Sequence, residues 1–111
     1  MSDRTIPSVL DAVGNTTLVQ LRKIVPANGA AVFLKLESEN PTGSVKDRMA
    51  AAVIGQAEKD GRLKPGGTVL EYTGGSTGTS LAFVCAARGY RCRIVTSDAF
   101  SQEKRDHMRA L

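Results

Sequence analysis

The chain has 111 residues, 15 Lys and Arg against 11 Asp and Glu, and a formal net charge of +4. That length holds one modest domain with a core of its own. Its composition, 41% hydrophobic and 23% charged, is that of a globular chain and excludes a disordered or fibrous one. No apolar run approaches a membrane span. The opening "MSDRTIPSVLDAVGN" lacks the basic-then-apolar layout of a secretory signal, so a cytoplasmic location is expected. The basic residues are scattered and aromatics do not interleave with them, so no nucleic-acid module and no membrane partner is expected. Cys85 and Cys92 match no zinc spacing and read as buried free thiols of a reducing compartment. No metal site is expected.

In chain order, "TTLVQL" (16–21) and "AAVFLKLE" (30–37) are short, apolar and rich in Val, Leu and Phe, which predicts strands. "PANG" turns the chain between them. "NPTGS" then breaks it before a helix predicted from about Val45 to Lys59. Val45, Met49, Ala52, Val53 and Ala57 share one face at helical spacing. Ser44 followed by Asp47 resembles a capping box, and Gly61 ends the helix. "TVLEYT" (68–73) predicts a third strand, "TSLAFVCAAR" a second helix closed by Gly89, and "RCRIVTS" (91–97) a fourth strand. Ser101 caps a third helix with Glu103 in its first turn. The pattern is α/β, with parallel strands from about residue 68 onward. "HMRAL" is still in helical register at Leu111, which fits either a frayed terminal helix or the front part of a longer protein.

Two helix starts carry chemistry. With Ser44 as N-cap, Lys46 stands at N2, beside the positive end of the helix dipole and near Arg48. Both oppose the ammonium form, and a neutral amine is what a Schiff-base lysine requires. The bland alternative is a surface lysine whose head reaches water. The second start is "EYTGGSTG" (71–78), between a strand and a helix. Its glycines let backbone N–H groups face an anion, and Thr73, Ser76 and Thr77 add hydroxyls. The alternative there is a tight connection needing glycine for sterics alone. The loop is neither GxGxxG nor GxxxxGK[ST], so a dinucleotide or Walker-type site is not supported. Gly74-Gly75-Ser76-Thr77-Gly78 does fit the GxSxG nucleophile elbow, and Asp98 and His107 follow in hydrolase order. Against a serine hydrolase stand the four strands, the short Asp-to-His gap, and the lack of a separate strand for the acid.

"VGNTTLVQL", "NPTGSVKDR", "LKPGGTVLEYTGGSTG" and "RIVTSDAFSQEKRDHMRAL" occur in the order seen in cysteine synthase-like proteins. The chain resembles that family, the pyridoxal 5'-phosphate (PLP) β-replacement enzymes that include O-acetylserine sulfhydrylase and cystathionine β-synthase, over residues 11–111. The resemblance implies the smaller, N-terminal α/β domain of a two-domain PLP enzyme. Residues 1–40 would be strands that join the larger domain, and residues 41–111 an incomplete smaller domain. Lys46 matches the Schiff-base lysine and general base. The loop Thr73, Gly74, Gly75, Ser76 and Thr77 matches the one that binds the substrate carboxylate. The implied reaction takes O-acetylserine and sulfide to cysteine and acetate in a full-length, homodimeric, cytoplasmic enzyme of cysteine biosynthesis. The 111 residues alone would be inactive.

The family loop usually reads Thr-Ser-Gly-Asn-Thr-Gly. Here Gly74 stands for the Ser and Ser76 for the Asn that reaches the cofactor's ring hydroxyl. Ser76 is shorter, so its reach would be direct or through water. The family's phosphate loop and pyridine-nitrogen partner have no match in these residues. The alternatives are another β-replacement or β-elimination activity, a non-catalytic folded module, and a serine hydrolase using Ser76.

Overall fold

The computed structural model describes residues 5–111. A 3-10 turn, Val9–Ala12, comes first, in a stretch where the sequence pattern predicts no element. Ser8 and Asp11 close a capping box on it: the Leu10 N–H donates to Ser8 Oγ and the Ser8 N–H to Asp11. Strands β1 (Leu18–Gln20) and β2 (Phe33–Lys35) pair antiparallel, with Leu18 opposite Lys35 and Gln20 opposite Phe33. Both are shorter than the apolar runs that announce them. Single bonds at each end, Leu21 N–H to Val32 and Leu36 N–H to Thr17, carry the ladder slightly further. Leu18, Val19, Phe33 and Leu34 are all exposed, so neither face of this hairpin is covered.

A 3-10 turn at Glu37–Glu39 leads to helix α1 (Lys46–Lys59). Strand β3 (Thr68–Tyr72), helix α2 (Ser76–Arg88) and strand β4 (Arg91–Val95) follow as a βαβ unit. β3 and β4 are parallel, with Thr68 opposite Arg91 and Tyr72 opposite Val95, as the alternation of strand and helix requires. Gly89 ends α2 in a left-handed conformation, φ 75°, and the Tyr90 N–H returns to the Cys85 carbonyl at 2.9 Å. Helix α3 (Gln102–Ala110) packs back on α2. No helix among the described residues is long and apolar enough to cross a membrane.

The core lies where α1 meets α2. Ala50 and Ile54 of α1 pack with Leu81, Val84 and Cys85 of α2, with Leu10, Val69 and Tyr90 around them. This corrects the predicted face of α1. The buried side is Asp47, Ala50 and Ile54, while Val45, Ala52 and Val53 face outward and Val53 is 52% exposed. The small Ala50 permits close approach to α2, which outweighs the larger but unpartnered valines. At the far end, Glu58 of α1 accepts from Tyr90 Oη at 2.7 Å and pairs with Arg88, tying α1 to the end of α2. The sheet's outer face leaves Leu70, Tyr72 and Val95 exposed.

Both cysteines are free. Cys85 is buried, and burial pushes its thiol up to about 12. Cys92 is only half-buried, a correction to the expectation of two buried thiols.

Removing side-chain volume at the α1–α2 seam leaves a cavity. Ile54→Ala is expected to destabilise the chain by about 2–5 kcal/mol in urea denaturation, and Val53→Ala by under about 0.5 kcal/mol. Equal losses would show that the outward valines carry the packing.

Candidate active site

Helix α1 begins at Lys46, one residue later than predicted, so Lys46 stands at N1 rather than N2. Val45, with helical φ −56° and ψ −20°, takes the N-cap place. Ser44 still serves the end, since its Oγ accepts the Lys46 N–H at 3.1 Å. Asp47 does not complete a capping box with Ser44. Its carboxylate turns inward instead and is fully buried. There it accepts three hydrogen bonds: the Thr42 N–H at 2.8 Å, Thr42 Oγ1 at 2.5 Å and Ser80 Oγ at 2.6 Å. A buried carboxylate needs such donors, because desolvation without them costs several kcal/mol. Ser80 lies in the second turn of α2, so the bond at Asp47 fastens the first turn of α1 to the start of α2. Lys46 is half-buried beside this joint. Among the described residues its amine has neither an ion-pair nor a hydrogen-bond partner.

Arg48 anchors the same turn on the other side. Its Nε and Nη2 form a two-pronged pair with Glu37 at 2.8 and 3.0 Å, and Nη2 also donates to Thr16 Oγ1 at 3.1 Å. Thr16 Oγ1 in turn donates to Glu37 at 2.7 Å. Asn40 Nδ2 donates to the Glu37 carboxylate and backbone, and its Oδ1 receives the Gly14 N–H at 2.8 Å. Gly14 has φ 87°, and a Cβ there would lie 2.8 Å from Arg48 Nη1. The "VGNTT" and "ENPTGS" segments are thus both locked to α1. Hydrogen bonds from Arg48, Thr16 and Asn40 hold the Glu37 carboxyl down at about 2, well below the usual carboxylate range.

The glycine loop lies between β3 and α2, with Gly75 at the N-cap. Thr73 Oγ1 accepts the Gly75 N–H at 3.3 Å, and the Gly75 carbonyl accepts from Gly78 and Thr79. Among the described residues no acceptor meets the N–H groups of Gly74, Ser76 or Thr77. Three unpartnered donors at a helix start are a place for an anion. The glycines have a steric role as well. A Cβ on Gly74 would collide with the Phe100 ring, 2.2 Å from its Cε1 and Cζ, one on Gly75 would lie 3.3 Å from Lys104 Cδ, and one on Gly78 would collide with Met108 and Thr73. Phe100, Lys104 and Met108, four residues apart, therefore form a strip lying along the loop. The two readings of these glycines, anion binding and close packing, hold together: one side of the loop takes the strip and its N–H groups remain free.

The hydrolase alternative does not survive this geometry. No hydrogen bond joins Ser76, His107 and Asp98 among the described residues. Among those residues the Asp98 carboxylate meets Ser97 Oγ alone, at 3.5 Å, and His107 is exposed on α3. Nor does any group of three His, Cys, Asp or Glu side chains there stand close enough to hold a metal ion.

Residues 9–111 match the family model described as "Pyridoxal-phosphate dependent enzyme". The chain belongs to the pyridoxal-phosphate dependent enzyme family. It is 46% identical over 110 residues to a cysteine synthase of Staphylococcus aureus (strain Mu50), covering 99% of this chain and 36% of that one. With cysteine synthase B of Escherichia coli (strain K12) it shares 51% over 98 residues, 88% of this chain and 32% of that one. A crystal structure of O-ureido-L-serine synthase superposes with a TM-score of 0.91 at 47% identity, covering 96% of this chain and 34% of that one. The chain thus spans about a third of the length of the curated relatives it matches. The α/β architecture found here is that of this part of the PLP-enzyme fold.

The inward turn of Asp47, its partner Ser80 and the strip headed by Phe100 are absent from the sequence reading. An Asp one position after a lysine looks like an ordinary first-turn acid, and nothing local marks Ser80 as its partner. Only the glycines at 74, 75 and 78 hinted that something approaches closely.

The network around Glu37 is open to titration. The folded chain favours this carboxylate in its charged form more than the unfolded chain does. Its contribution to stability is therefore complete above about pH 4.5 and is lost as the pH falls towards 2. Glu37→Gln is expected to flatten the fall of the urea midpoint across that window. An unchanged slope would place the acid sensitivity elsewhere.

Proposed function

We propose that this chain is the N-terminal portion of a PLP-dependent β-replacement enzyme, a cysteine synthase that takes O-acetylserine and sulfide to cysteine and acetate. One observation carries the reading. The turn bearing the unpartnered Lys46 amine is joined through buried Asp47 to the helix whose start presents three free N–H groups. An amine for an aldehyde and a cradle for a carboxylate thus sit at the same end of two packed helices.

The residues present fit PLP at its aldehyde end. Lys46 is a primary amine with no competing partner, and Ser76 is exposed at the loop, where a hydroxyl can meet a ring hydroxyl directly or through water. When bound, PLP supplies an electron sink for the α-carbon of the amino acid. This chain's residues do the rest. Lys46 holds the cofactor, and its amine takes the α-proton and later returns it. Thr73, Gly74, Gly75, Ser76 and Thr77 hold the substrate carboxylate with backbone N–H groups and hydroxyls, which fixes the α-carbon beside Lys46. The β1–β2 hairpin, open on both faces, joins the larger domain of the whole enzyme. That enzyme is a cytoplasmic homodimer. The 47% identity to O-ureido-L-serine synthase favours a second reading within the same class, with a different β-substituent exchanged by the same residues.

The full-length protein is expected to be isolated yellow. Borohydride followed by digestion and mass spectrometry is expected to place a pyridoxyl group on Lys46. Lys46→Ala should lose the colour and at least about a hundredfold of turnover. A reduced adduct on another lysine, with Lys46 unmodified, would remove Lys46 from this role.

A further inference from the structure

The usual family loop carries Ser where this chain has Gly74, and the structure shows what takes the vacated space. The Phe100 ring lies against Gly74 so closely that a Cβ there would fall among three of its ring carbons. The ring is itself 37% exposed, so it is packed on the loop on one side and open on the other. Phe100 is held in place by the turn after β4, where its N–H donates to the Ser97 carbonyl at 3.3 Å, and it heads the strip that continues through Lys104 and Met108.

We propose that Phe100 is a specificity-determining residue of this site, a claim that rests on the function proposed above. Where the family pattern puts a small hydroxyl beside the substrate carboxylate, this chain puts an aromatic wall that originates from a different element. Gly74 and Phe100 are two halves of one choice: a side chain at 74 and a ring at 100 compete for the same volume. The wall limits the length of the amino acid's β-substituent and holds the loop backbone so that its free N–H groups face the carboxylate.

The test uses the full-length, PLP-loaded enzyme, with O-acetyl-L-serine and its one-methylene-longer analogue O-propionyl-L-serine. The unmodified enzyme is expected to favour the shorter ester by roughly tenfold or more in kcat/KM, the scale of one methylene in an apolar pocket. Phe100→Ala should bring that ratio close to one. Gly74→Ser alone should raise KM for the shorter ester roughly tenfold by displacing the ring. In Gly74→Ser/Phe100→Ala the added Ser should have little further effect, because the space is already free. Such non-additivity in the ester ratio is not expected of a purely structural residue. Thermal melting of each variant identifies any that simply fails to fold. In that case Phe100→Leu, which keeps apolar volume but not the ring, stands in for Phe100→Ala. An unchanged ester ratio in the Phe100 variants, or strictly additive effects, would overturn the proposal. If the pyridoxyl group is missing from Lys46 in the unmodified enzyme, the proposed function fails first and the specificity claim falls with it, and mass spectrometry distinguishes that result from a failure of Phe100 alone.

Discussion

The arrangement depends on one buried carboxylate. Asp47 is fully enclosed, and its three donors come from two places in the chain, Thr42 just before α1 and Ser80 within α2. A carboxylate in that position cannot drift, since leaving any donor behind uncovers a charge in a poorly solvated space. Its two oxygens thereby fix the angle at which α1 begins and the distance of that beginning from α2. Lys46, one residue earlier, inherits both. The apolar seam of Ala50, Ile54, Leu81, Val84 and Cys85 then holds the two helices along the rest of their length.

A second set of polar contacts acts from the opposite side. Arg48, Glu37, Thr16 and Asn40 join residues 14–40 to α1 through polar contacts. The β1–β2 hairpin has uncovered faces and is connected to the helices by these hydrogen bonds and ion pairs. Two kinds of attachment thus meet at α1. One is hydrophobic and runs along its length, and the other is electrostatic and concentrated at its first turn.

Much of this was legible in the sequence. The βαβ alternation, the three helices of the described residues and the glycine that closes α2 follow from local rules about periodicity and left-handed backbone, although α2 starts at Ser76, three residues before the predicted stretch. The roles proposed for Lys46 and the glycine loop rest on motif and position together. What local rules missed is contact between distant segments. The outward valines of α1 looked like its buried face because periodicity records which residues share a side, not which side finds a partner. Asp47 looked like a cap because one of its donors, Ser80, lies 33 residues away. Phe100 drew no notice because its significance is defined only by the hydrogen atom that stands in for a side chain at Gly74.

The position of Cys85 has a chemical consequence. Burial that pushes the Cys85 thiol up to about 12 keeps it protonated at neutral pH, and the thiolate is the form that attacks electrophiles. Maleimides, iodoacetamide and peroxides therefore find little to react with at the α1–α2 seam.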